Sequence, residues 1–154
     1  MTQLKTAPAA REIEITRIID APRERLWKAW TEPEQLTLWW GKRGWTAPLS
    51  TITMDVRTGG GFQLTNVRDD GREMPQAGTY SEVREPERLA WSEDPTTGCP
   101  DTYGSTAEVT FNDLGDGRTE MRFVATLQTT AANLDNSAVG MSSAFDRLAE
   151  HLDR

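Results

Sequence analysis

The chain has 154 residues and carries 17 Lys and Arg against 24 Asp and Glu, a formal charge of −7; one domain fits that length, and the acidic balance argues against nucleic acid or an anionic membrane surface as partner. A single cysteine, Cys99, excludes an intrachain disulfide and a thiolate zinc cluster, and a single histidine, His151 near the C-terminus, argues against a nucleophile–His–acid triad. No apolar run approaches the roughly 20 residues of a membrane-spanning helix, and residues 1–10 lack the apolar stretch of a secretory signal, so the expectation is a flexible leader followed by one cytoplasmic domain over 11–154.

The segment Glu12-Ile13-Glu14-Ile15-Thr16-Arg17-Ile18-Ile19 alternates apolar and polar residues and is dense in β-branched ones, which predicts a strand. Ala21-Pro22 then opens a short helix over 22–31 carrying Leu26, Trp27 and Trp30 at helical spacing. Thr31-Glu32-Pro33-Glu34 has the form of a capping box for a second helix bearing Leu36, Trp39 and Trp40, with Gly41 as its left-handed stop. From residue 50 the period becomes two. Strands are expected at 52–56, from Phe62 to a turn at Asp69-Asp70-Gly71, at 74–83, around Leu89–Trp91, at 107–111 and at 121–125. Gly59, Gly60 and Gly61 mark a turn or bulge, and Ser92–Gly104 reads as a long polar loop. Met141, Phe145, Leu148 and Leu152 form one stripe of a final helix that starts near 133–137.

The order is therefore β, α, α, six strands and a long helix, an α+β domain in which a seven-stranded antiparallel sheet is covered by the C-terminal helix. This order resembles the helix-grip fold of the START-like, SRPBCC superfamily. The closer resemblance is to the Aha-type family, named for the activator of the ninety-kilodalton heat-shock protein ATPase. Four motifs carry it: Ile19-Asp20-Ala21-Pro22 through Trp27, Thr31-Glu32-Pro33-Glu34-Gln35-Leu36 leading to Trp39-Trp40-Gly41, Asp55-Val56-Arg57-Thr58-Gly59-Gly60, and Gly78-Thr79-Tyr80 followed by Pro86-Glu87-Arg88-Leu89. Thr58 stands where the family often has Pro, and Met141 where many relatives carry Trp.

The resemblance implies a cavity between a curved sheet and the last helix. Trp40, Met54, Phe62, Tyr80, Trp91, Phe123, Met141 and Phe145 are the bulky residues placed to line it, and Trp39 and Trp45 come from the region that borders its entrance. Residues at such spacing equally fill a core, and the choice turns on volume: side chains packed at crystal-like density leave no room for a ligand. Asp55 and Arg57 are candidate polar anchors, or a plain surface ion pair. Cys99 has no neighbouring base to lower its pKa, and Glu82 and Glu108 read as solvent-facing strand residues unless burial raises them as acids. Asp69, Asp70, Asp113 and Asp116 have the spacing of turn formers rather than of a calcium loop. No catalytic residue, metal site or cofactor is expected. The function expected is binding of a small hydrophobic or aromatic molecule, oriented in part by the Tyr80 hydroxyl. An enzyme of cyclase, hydrolase or dehydratase type in the same cavity, and a chaperone-interacting module, are the alternatives; homodimerisation is left open.

Overall fold

The computed structural model describes residues 9–94 and 105–153. Strand β1 (Ala9–Ile19) is followed by helices α1 (Arg23–Thr31) and α2 (Pro33–Leu36). Two short strands, β2 (Trp45–Thr46) and β3 (Thr53–Met54), precede the long ones: β4 (Gly61–Arg68), β5 (Glu73–Arg84), β6 (Arg88–Glu93), β7 (Ser105–Asp113) and β8 (Thr119–Thr129). Helix α3 (Ala131–Leu152) closes the domain. The sheet runs β1-β8-β7-β6-β5-β4-β2, antiparallel at every step, with β3 also paired to β4. It curls into a half-barrel with the long helix against it, so this is the expected helix-grip architecture. No helix among the described residues is long and apolar enough to cross a membrane.

The alternation that predicts the strands is the alternation that fills the core. In β7, Ala107, Val109 and Phe111 point inward between Thr106, Glu108 and Thr110; in β8, Met121, Phe123 and Ala125 do the same. The α3 stripe behaves likewise, with Phe145, Leu148 and Leu152 buried and Met141 half-buried. A bulge between Tyr80 and Glu82 interrupts the β5–β6 register, a device that bends a sheet.

Local differences from the sequence reading have local causes. Strand β1 begins at Ala9, because Ala9 and Ala10 still have partners in Thr129 and Gln128. No capping box forms at 31–34: the Thr31 hydroxyl donates back to the Trp27 carbonyl at 2.7 Å, and Glu32 is the residue preceding α2. The expected strand over 52–56 shrinks to Thr53–Met54 after a 3-10 turn at Leu49–Thr51, and Trp45–Thr46 supplies a strand not expected. Helix α3 starts at Ala131, where the Thr130 hydroxyl accepts from the Asn133 amide at 3.2 Å. Gly41 takes the left-handed conformation expected of it, with φ +96°. Residues 1–8, most of the expected loop and Cys99 lie outside the described residues.

Candidate functional site

Three strands lay out one wall of an internal recess. On β4, Phe62, Leu64 and Asn66 share a face; cross-strand register sets Phe62 opposite Gly78, Leu64 opposite Gln76 and Asn66 opposite Met74 of β5. On β6, Trp91 lies opposite Tyr80 and Glu93 opposite Gly78. The same face thus brings an aromatic row and a polar row together, because side chains two apart on a strand point the same way. The roof comes from Trp30 of α1, Leu36 of α2 and Trp40 of the turn after it, and Met54 of β3 closes one side.

Gly78 fixes how these parts fit. A methyl group there would sit 2.1 Å from the Ser92 carbonyl oxygen and 2.7 Å from the Phe62 ring, which lies across the glycine. Gly78→Ala is therefore expected to lose about 1–3 kcal/mol, the range for overpacking, and to displace Phe62; urea denaturation with aromatic-region NMR measures both effects.

The space left is small. The recess has a volume of about 40 Å³, where drug-sized ligand pockets run to about 300–1,000 Å³ and a single water needs about 10–15 Å³ on the same measure. The reason is Trp30, which is 3% exposed and stands at the middle of the interior. Its ring lies 5.0 Å from Trp39, 5.8 Å from Trp91, 6.0 Å from both Trp40 and Phe145, and 6.5 Å from Phe123. Its indole N–H is enclosed without an acceptor.

At the β5–β6 end of the recess lies a polar chain. The Gln76 side-chain oxygen accepts from the Trp40 indole N–H at 3.3 Å and from the Asn66 amide at 3.2 Å. With both donors on that oxygen, the Gln76 NH₂ faces Glu93 and donates to its Oε1 at 2.6 Å. Glu93 Oε2 accepts from the Trp91 indole N–H at 3.0 Å. Burial pushes the Glu93 carboxyl above its ordinary value, and the two hydrogen bonds offset part of that shift. Burial likewise holds the Tyr80 phenol well above its usual range.

Of the eight expected lining residues, Trp40, Met54, Phe62, Tyr80 and Trp91 surround the recess. The other three do not. Phe123 and Phe145 are core residues packed edge-to-face at 5.4 Å, and Met141 is half-buried against the core. Trp39 is wholly buried, its indole donating to the Ala29 carbonyl at 2.9 Å, so it does not border an entrance. Trp45 lies in β2 with the Arg68 guanidinium 6.0 Å above its ring. Asp55 and Arg57 bond each other at 2.8 Å at the surface, outside the recess, as an exposed ion pair. Glu82 and Glu108 both bind Arg88 on the outer side of the sheet. Asp70, Asp113 and Asp116 each accept from a backbone N–H two residues on, which is turn chemistry.

Sequence reasoning passed over Trp30, Gln76 and Glu93. Trp30 read as one more apolar helix residue; Glu93 stood at the mouth of a polar stretch assigned to a loop. The available signal was the Trp91-x-Glu93 spacing, which puts the carboxylate on the same strand face as an inward tryptophan. A larger, open depression of about 400 Å³ lies among Arg25, Lys28, Gln35, Leu38 and His151. It is bordered by exposed α1 residues and by the last turn of α3, where His151 Nε2 is 3.3 Å from Gln35 Oε1.

Comparison with known proteins gives the fold and the family. A family model described as "Activator of Hsp90 ATPase homolog 1-like protein" matches residues 20–153. Among solved structures, a Chromobacterium violaceum protein is 21% identical, with a TM-score of 0.83 over 93% of this chain and 97% of its own. An Arthrobacter aurescens protein is 20% identical, with a TM-score of 0.81 over 94% of this chain and 91% of its own. CalU16 from Micromonospora echinospora is 26% identical, with a TM-score of 0.70 over 93% of this chain and 76% of its own. No curated protein matches the chain.

Proposed function

The chain belongs to the family of activator of Hsp90 ATPase homolog 1-like proteins, and from that premise we propose that it binds a small, mostly apolar molecule in the recess between sheet and helices. The observation that carries this reading is the meeting of Trp40, Met54, Phe62, Tyr80 and Trp91 around one polar lining residue, Gln76, with Glu93 hydrogen-bonded behind it. Concave, largely apolar surfaces with a few convergent polar groups are what small-molecule sites are made of. Their aromatic faces supply contact area at little cost in side-chain entropy.

The volume limits how such a molecule sits. Only a small group fits inside 40 Å³, so the ligand inserts one end and lays its body against Met54 and Phe62, half-buried side chains at the recess wall. The test is a panel of small aromatic and alkyl compounds read by thermal shift and by NMR of the tryptophan indole N–H groups. A binder present at about a hundred times its dissociation constant stabilises the fold by about 2.7 kcal/mol and moves the Trp40 and Trp91 resonances. Uniform silence of both readouts across the panel sinks the reading. Glu93, whose carboxyl burial holds above its ordinary value, favours one alternative, an acid–base step on a bound molecule; chemical change of a panel compound, followed by mass spectrometry, is its readout.

A further inference from the structure

Directly behind the recess, bonded to its lining residues Gln76 and Trp91, lies an unbalanced charge, the Glu93 carboxylate. Glu93 accepts one hydrogen bond on each oxygen, from Gln76 and from Trp91, while a carboxylate offers about four acceptor sites. Among the described residues no Lys, Arg or His pairs with it, and both of its partners are neutral. The adjoining segment 95–104 contains no Lys, Arg or His either. A carboxylate whose charged form burial already disfavours, and that has no counter-ion, is costly to keep ionised. The expense falls when a cation enters.

Resting on the reading that the recess binds a small molecule, we propose that what it recognises is the head of an organic amine, with Glu93 as the counter-charge and Trp40 and Trp91 as the aromatic walls. Three observations converge on this chemistry. Three tryptophans, Tyr80 and Phe62 line a space whose volume suits an ammonium or methylated ammonium head rather than a whole drug-sized molecule. Aromatic rings attract such cations most strongly where water is excluded. Gln76, the lining residue that now donates to Glu93, marks the position an ammonium N–H would take, either beside the amide or in its place.

The choice of sign also follows from geometry. An anion would sit close to the Glu93 carboxylate behind the lining with no cation between them, so carboxylic acids and phosphates are disfavoured. A neutral alcohol of the same shape makes the apolar contacts and one hydrogen bond, and forgoes the charge interaction. The three ligand classes therefore separate by charge alone at nearly constant shape.

Benzylamine, benzyl alcohol and benzoate make the experiment, titrated at pH 7 into the full chain with the Trp40 and Trp91 indole N–H resonances as readout. Benzylamine is expected to bind at least about tenfold more tightly than benzyl alcohol, and benzoate to leave both resonances unmoved. The preference must persist in 1 M NaCl, where the screening length is about 3 Å and attraction to the acidic surface is removed. In Glu93→Gln the gap between amine and alcohol closes, and the alcohol titration reports whether that variant still has a working recess. Equal affinity for amine and alcohol in the unmodified chain overturns the inference while leaving the binding function standing. A preference that vanishes in salt, or that Glu93→Gln retains, overturns it as well. Silence of all three compounds, together with silence of the wider panel, removes the binding function itself.

Discussion

Trp30→Ala is expected to destabilise the protein by about 3–5 kcal/mol, the range for removing a large aromatic from a packed core. For a domain of this length that lowers the melting temperature by roughly 6–20 °C. The argument is one of volume and partners. Trp30 is 3% exposed and within ring-contact distance of Trp39, Trp40, Trp91, Phe111, Phe123 and Phe145. Those rings belong to α3, three strands of the sheet's middle and the turn after α2, and they cannot all move inward to fill what is lost. The enclosed indole N–H without an acceptor works the other way, since its removal relieves an unmet hydrogen bond of about 1–3 kcal/mol; the loss belongs toward the lower end. Trp30→Phe separates the two effects, keeping most of the ring contact and deleting the N–H. The alanine variant should also take up apolar guests such as benzene, as dry cavities lined by hydrocarbon do. A loss below about 1 kcal/mol in chemical denaturation would show that Trp30 is not what fills the interior.

Arg147→Met should be the next largest, at about 2–4 kcal/mol. The Arg147 guanidinium reaches from α3 to the turn after α2, where one nitrogen donates to the carbonyls of Gly41 at 2.8 Å, Trp45 at 3.1 Å and Trp40 at 3.2 Å. Burial lowers its pKa and nearby Arg43 adds to that, with Glu150 opposing. These acceptors are neutral, so the penalty should change little between low salt and 1 M NaCl, unlike that of the exposed Arg17–Asp146 pair. Lysine is a poor substitute, because a single ammonium cannot reproduce the planar fork that spans several carbonyls. Urea melts of the methionine and lysine variants at two salt concentrations check both statements. Loss of this anchor would also loosen Trp40, and with it one wall of the recess.

The architecture was readable because its determinants are local and repetitive. Ala107-x-Val109-x-Phe111 and Met121-x-Phe123-x-Ala125 can be placed on strands from period alone, and the α3 stripe from spacing alone. The short strands were not, since Trp45–Thr46 and Thr53–Met54 exist through pairing with β4 rather than through any pattern of their own. The candidate site was half legible. Residues on the concave faces of β4, β5 and β6 surround the recess, whereas Phe123 and Phe145 do not, although they share the inward orientation. What separates the two groups is the bulk of Trp30, which arrives from a helix and occupies the space in front of β8. No periodicity encodes which of several inward side chains reaches the centre first. Glu93 was hidden for a related reason: its enclosure depends on Gln76, a neighbour set by cross-strand register seventeen residues away in the chain.

The pairing of β1 with β8 has a consequence for how the molecule is made. Eleven residue pairs join them, from Ala9 with Thr129 to Ile19 with Thr119, so the first strand of the sheet to be made waits for the last. At about 5–20 residues per second, the intervening hundred or so residues take roughly 5–20 s to appear. During that interval the Ile13, Ile15 and Ile19 face of β1 lacks the strand that flanks it in the finished fold. The sheet can therefore close only once β8 has been made.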